Sequence, residues 1–147
     1  VEKYVILLEQ SYVIFRLNSF SRNLRNELKT SKKIYFYDNG IRNALIANFN
    51  QIEGRADRGA LWENFLISER KKFLEYNRLW GNSWFWRTKE QKEIDLVEER
   101  DGKITGYEFK WNHDQKVKIP RLFLDSYENS DFQVIHRDNC DSFLLEY

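Results

Sequence analysis

The dipeptide Asp101-Gly102 constrains this chain more than any other feature. It stands between two runs rich in β-branched and aromatic residues, EIDLVEER and KITGYEFKW. An Asp-Gly pair so flanked is the strongest short-range hairpin signal in a sequence. With a two-residue loop, the strands Glu93–Arg100 and Lys103–Trp111 pair with Arg100 opposite Lys103, Asp95 opposite Glu108 and Glu93 opposite Lys110. Directly opposed residues share a face, and neighbours along a strand alternate. The hairpin is therefore expected to gather Asp95, Glu108 and Lys110 on one face, with Gly106 leaving room beside them. Ile94, Leu96, Tyr107, Phe109 and Trp111 are expected on the other face, as core.

Two opposed carboxylates repel each other and weaken a sheet by a few tenths of a kcal/mol or more. A divalent cation reverses that sign, because hard cations take carboxylate oxygens. A lysine two residues along is placed to hold developing negative charge or to orient a water. The competing reading of the same residues is a solvated strand face carrying ordinary surface ion pairs.

Asp95, twelve intervening residues and then Glu108-Phe109-Lys110 resembles the D…(D/E)xK core of the PD-(D/E)XK nuclease superfamily. A wider set of segments is more specific: KIYFYDNGIRNAL (Lys33 to Leu45), GALWENFLISE (Gly59 to Glu69), FWRTKEQKEIDLVEE (Phe85 to Glu99) and YEFKW (Tyr107 to Trp111). Together they resemble the uncharacterised C-terminal domain that follows the ATPase module in many bacterial and archaeal AAA-type ATPases, over roughly residues 31 to 137. That domain is grouped with the PD-(D/E)XK fold. The resemblance implies a restriction endonuclease-like core, an α/β unit with a mixed central sheet flanked by helices. It also implies a glutamate from the first helix leaning over the strand carboxylates, a position that Glu63 of the Gly59–Glu63 GxxxE matches best, with Glu69 second. Glu93-Ile94-Asp95 stands where the superfamily has Pro-Asp, a departure from its pattern.

A length of 147 residues suits one domain with a real core, and 41% hydrophobic with 16% aromatic residues excludes disorder. A net charge of +1 is too balanced to argue for a nucleic-acid partner by itself, so any such surface must be local. The single cysteine, Cys140, excludes an internal disulfide and a cysteine zinc site. There is no run of ~18 apolar residues and no secretory signal, so a cytoplasmic prokaryotic protein with no membrane span is expected. The chain has no methionine and opens on an apparently partial element, which points to a fragment of a longer protein. It contains no GxxxxGK[ST] phosphate loop, so it is not itself expected to be an ATPase.

Apolar positions 1, 4, 5, 7 and 8 predict a helix over Val1–Gln10, followed by a strand at Tyr12–Leu17. This pair resembles the end of the winged-helix segment that precedes the domain in the family. Residues 1–30 are thus expected as that remnant and a linker, and residues 31–147 as the nuclease-like domain. Ser19–Lys33 reads as a polar linker, and Ile34–Tyr37 as a short strand. Asp38-Asn39-Gly40 reads as a turn capping a helix over Ile41–Asn48, with a ligand role for Asp38 as the lesser alternative. Phe49–Ala56 is expected as a loop and Arg58–Tyr76 as the longest helix, buried through Trp62, Phe65, Leu66, Phe73 and Tyr76. Glu69 falls within that stripe and Glu63 on its flank; Arg70, Lys71 and Lys72 read as its wet side. In Leu79–Arg87 the residues Trp80, Trp84 and Trp86 either fill a core or, beside Arg87, stack on bases. Pro120–Tyr127 is expected as a helix, Phe132–His136 as a strand and Phe143–Leu145 as a terminal strand or tail. Lys116, Lys118 and Arg121 form a basic patch, either solvated or meeting a phosphate backbone. His113 and His136 are not spaced as a metal pair.

The leading functional expectation is a metal-dependent, nuclease-like domain acting on or binding DNA, with an ATPase module in cis. Asp95, Glu108 and Glu63 would hold Mg²⁺ or Mn²⁺, and Lys110 would position or activate the attacking water. The rival class is a non-catalytic protein-interaction or oligomerisation module that keeps the fold. A free-standing enzyme on a small substrate has no nucleotide or cofactor motif in its favour.

Overall fold

The computed structural model describes residues 1–22, 25, 27 and 29–146. Helix α1 (Glu2–Gln10) leads into strand β1 (Ile14–Asn18), which pairs antiparallel with β2 (Lys32–Phe36). Asp38 then caps α2 (Asn39–Leu45) by accepting the Gly40 N–H, the turn-and-cap role expected of it. A short 3₁₀ turn at Ile52–Gly54 precedes α3 (Arg58–Tyr76), whose bounds are those the sequence periodicity predicts. Strands β3 (Asn82–Arg87), β4 (Glu93–Arg100) and β5 (Lys103–Phe109) follow as an antiparallel meander. Helix α4 (Arg121–Ser126) crosses over to β6 (Ser130–Ile135), which pairs parallel with β5, and α5 (Cys140–Leu145) ends the described chain. The result is a mixed four-stranded sheet in the order β3-β4-β5-β6, flanked by helices, beside the two-stranded β1-β2 sheet. Among the described residues no helix is long and apolar enough to cross a membrane.

The hairpin forms in the expected register from Arg100–Lys103 to Leu96–Tyr107, where the ladder stops, so the expected pairs Asp95–Glu108 and Glu93–Lys110 are not part of it. Asp101 and Gly102 take φ values of 49° and 76°, the pair of positive angles that a type I′ turn requires. The expected division into faces needs correction, because β4 carries a bulge. Trp84 pairs with Val97 but Trp86 pairs with Ile94, so two steps on β3 match three on β4. The extra residue puts Ile94 with Val97, Ile104, Trp86 and Phe123 in one apolar cluster. Leu96, Tyr107 and Phe109 pack in another with Phe15, Leu66 and Phe143. Trp111 lies past the end of β5 and is only partly buried against that second cluster. Both faces of the sheet are thus covered, α3 and α5 lying on one and α4 on the other.

Further differences have local causes. The buried side of α3 is Leu61, Trp62, Asn64, Leu66, Ile67, Ser68, Arg70 and Leu74, while Phe65 and Tyr76 are exposed. Arg70, expected on the wet side, is buried because Glu98 takes its guanidinium in a bidentate pair at 3.0 and 3.1 Å. The Phe143 and Glu146 carbonyls complete its hydrogen bonds. That anchor lies at the end of α5, a helix where a strand or tail was expected, and Phe143 fills the gap beside Tyr107 and Phe109. The expected linker is not a free tether. Phe20 is fully buried, and Glu27 accepts hydrogen bonds from Trp86 Nε1 at 2.8 Å and from the Tyr127 hydroxyl. Its residues 23, 24, 26 and 28 lie outside those described. β1 and β2 pair across the expected 30/31 boundary, and Phe15, Leu17 and Tyr35 belong to the same cluster as Trp62 and Phe109.

Candidate functional site

Asp95 and Glu108 are the next positions along the hairpin after the last ladder pair, Leu96–Tyr107. There a side-chain bond takes over from the ladder: Asp95 Oδ2 accepts the Phe109 backbone N–H at 2.8 Å. Glu63 comes from the second turn of α3 and Lys110 from the residue just after β5. These elements converge at one end of the sheet. Burial, then the charges of Glu63 and of Glu108, push the Asp95 carboxyl from 3.8 up to about 8. Asp95 on β4 thus lies within reach of carboxylate charges from two other elements, α3 and β5.

Each of the other two is held by a partner. Glu63 Oε1 accepts from the Tyr35 hydroxyl at 2.6 Å and lies 3.2 Å from Lys33 Nζ. Lys110 Nζ lies 2.8 Å from Glu108 Oε1. Burial opposes the charge on Lys110, but Glu108, Asp95 and Glu63 outweigh it and raise the ammonium pKa. Lys33 follows the same pattern: burial lowers its pKa, and the carboxylates of Glu63 and Glu93 more than restore it. The Tyr35 hydroxyl is held well above its ordinary value, first by burial and then by Glu63. Glu93 pairs with Lys33 and, at 2.7 Å, with Arg87.

Of the two helix glutamates, Glu63 is the one at the site. Glu69 pairs with Lys72 on another side of α3, beside Tyr37 and Asp38. Lys33 and Tyr35 belong to the cluster and were not among the expected site residues. Their signal is the two-residue alternation of Lys33, Tyr35 and Tyr37 along an aromatic strand, with Lys33 at the linker edge rather than in the strand core. A cleft of about 230 Å³ opens beside Lys110, lined also by Arg55, Arg58, Gly59 and Trp111.

The remaining sequence candidates fall elsewhere. Trp86 is fully buried, Trp84 is half-buried against Phe20, and Trp80 is 86% exposed. Lys116, Lys118 and Arg121 are solvent-exposed. The fold brings the His113 and His136 rings to 6.0 Å, with Asp138 3.2 and 3.5 Å from their Nδ1 atoms. Among the described residues no three His, Cys, Asp or Glu side chains already converge as a metal-holding group. At the sheet end this agrees with Lys33 and Lys110 standing against the carboxylates. The side chains gathered there offer oxygen donors only, the donor type that hard cations take, and burial with two neighbouring charges keeps the Asp95 carboxyl from ionising readily.

A family profile described as Domain of unknown function (DUF4143) matches residues 58–140, more than half of the chain. A second, Domain of unknown function (DUF8612), matches residues 1–52. An uncharacterized protein of Mycobacterium bovis and one of Mycobacterium tuberculosis are each 29% identical to this chain over 110 residues, 74% of its length. The matched stretch is 24% of each relative, so the chain spans about a quarter of their length. No solved structure matches. Glu63, Asp95, Glu108 and Lys110 lie inside the first matched segment, and Lys33 and Tyr35 inside the second.

Proposed function

This chain belongs to the family described as Domain of unknown function (DUF4143), and from that premise we propose that it is a metal-dependent nuclease-like domain acting on DNA phosphodiesters. The observation that carries the reading is the buried Asp95 at the end of the hairpin, on which the charges of Glu63 and Glu108 both bear, with Lys110 paired to Glu108. The element order α3, β3, β4, β5, α4, β6 supports a PD-(D/E)XK-like core, and an ATPase module in cis is part of the same proposal.

Asp95, Glu108 and Glu63 are the residues that would hold Mg²⁺ or Mn²⁺. Such an ion supplies positive charge to a phosphate and acidity to a water. The chain's own residues do the rest. The Phe109 N–H fixes the Asp95 carboxylate, and the Tyr35 hydroxyl fixes Glu63. Lys110, kept protonated by Glu108, orients the attacking water or meets the charge that develops on the phosphate. The exposed cations Lys116, Lys118 and Arg121, in the segment after β5, are where the DNA backbone would run.

The test is Mn²⁺-dependent nicking of supercoiled plasmid. Glu108→Gln and Lys110→Ala are each expected to abolish it, by about 10²-fold or more. Undiminished nicking by either variant overturns the assignment. One observation favours the rival reading of an interaction or oligomerisation module: α1 buries none of its residues and exposes Tyr4, Ile6, Leu7 and Leu8. Under that reading Mg²⁺ and Mn²⁺ leave the melting temperature unchanged.

A further inference from the structure

We infer that Lys33 is a built-in counter-ion of the carboxylate cluster, which it holds together without metal and for which it competes with the divalent cation. The inference rests on the metal reading of Glu63, Asp95 and Glu108. Lys33 comes from β2, outside the α3-to-β6 unit that carries those residues. Its ammonium reaches in from that neighbouring sheet, lies 3.2 Å from Glu63 Oε1 and pairs with Glu93. Its side chain is only 19% exposed and lies with Nζ 5.3 Å from the Phe85 ring centroid. A charge so enclosed must be paired, and Glu63 and Glu93 are the carboxylates that pair it.

The consequence is a trade at Glu63. The Oε1 that receives Lys33 also receives the Tyr35 hydroxyl, so β2 decides how Glu63 is presented. A divalent ion drawn to Glu63 meets a fixed positive charge a few ångströms away. That repulsion is strong at the effective dielectric of a partly buried site. Metal affinity of the free domain is therefore held down by a residue of the segment that the second family profile matches.

Calorimetric titration with MnCl₂ at fixed pH reads this without recourse to activity. Lys33→Met removes the charge and keeps most of the volume. It is expected to bind Mn²⁺ about tenfold or more tighter than the wild type. Lys103→Met takes the same charge from a surface pair with Asp131 and is expected to bind like the wild type. Equal or weaker binding by Lys33→Met overturns the role of Lys33 while the metal reading stands. So does an equal gain in Lys103→Met, which reduces the effect to net charge. Absence of binding in wild type and variant alike overturns the metal reading and this inference with it. If Lys33→Met does not fold, Lys33→Gln, which keeps a donor for Glu63, is read by the same outcomes.

Discussion

The Asp95 carboxylate reaches from β4 to the backbone of Phe109 on β5, accepting its N–H at 2.8 Å beside Glu108. That bond ties the ionisable group into the sheet where burial and two neighbouring carboxylates oppose its charge. With a carboxyl raised from 3.8 to about 8, the folded chain keeps a proton that the unfolded chain releases between those values. The unfolded state then binds fewer protons, so this group makes stability fall as pH rises through that window. Asp95→Asn keeps an oxygen for the Phe109 N–H and removes the charge. In EDTA it is expected to melt about 3–6 °C higher than the wild type at pH 8, after discounting for partial exposure, with the gap closing towards pH 4. Scanning calorimetry across that range checks it, and parallel curves for the two proteins would contradict it.

Gly106 opposes Val97 on the face where Ile94 and Phe123 press closest. A Cβ built there meets Ile94 Cγ2 at 3.2 Å and Cδ1 at 3.3 Å, tighter than ordinary contact. Gly106→Ala is expected to cost about 1–3 kcal/mol through overpacking. Ile94→Val removes Cδ1 and should recover part of that loss in the double variant. Urea midpoints decide it: an unchanged midpoint for Gly106→Ala would mean that Ile94 is not on this face.

The Arg70–Glu98 pair joins α3, β4 and α5, and both partners are buried, at 6% and 3% exposed. Arg70→Met leaves Glu98 with Arg100 as its remaining cation among the described residues, 3.5 Å away, and the Phe143 and Glu146 carbonyls without the Arg70 donor. A loss of about 3–5 kcal/mol is expected. Adding Glu98→Leu removes a buried charge then paired with Arg100, 3.5 Å away, and is expected to restore part of the loss. Denaturant unfolding of Arg70→Met, Glu98→Leu and the double variant gives the coupling; additive losses would argue against the pair.

The hairpin register, α3 and the capped α2 were legible because each rests on local chemistry: a type I′ turn, a 3.6-residue period and an Asp cap. The bulge in β4 was not legible, since it arises from how β3 packs, and it reassigned Ile94 to the face opposite Leu96. Arg70 was misread because a basic residue on a helix looks solvated until its partner is known, and Glu98 lies 28 positions away. For the same reason Lys33 read as linker: nothing local ties it to Glu63 and Glu93. Position in the hairpin placed Asp95 near Glu108, and the GxxxE match favoured Glu63 over Glu69; the rotation of α3 brings the Glu63 charge to bear on Asp95 and leaves Glu69 with Lys72.

Asp95 and Glu108 are proposed to share a divalent cation. Anomalous scattering from crystals of the wild-type chain soaked in MnCl₂ tests it most directly. A manganese peak is expected within coordination distance of both carboxylates, with Glu63 on its rim, and no such peak in Asp95→Asn. Peaks only at other positions, or none between Asp95 and Glu108 at saturating Mn²⁺, would contradict it.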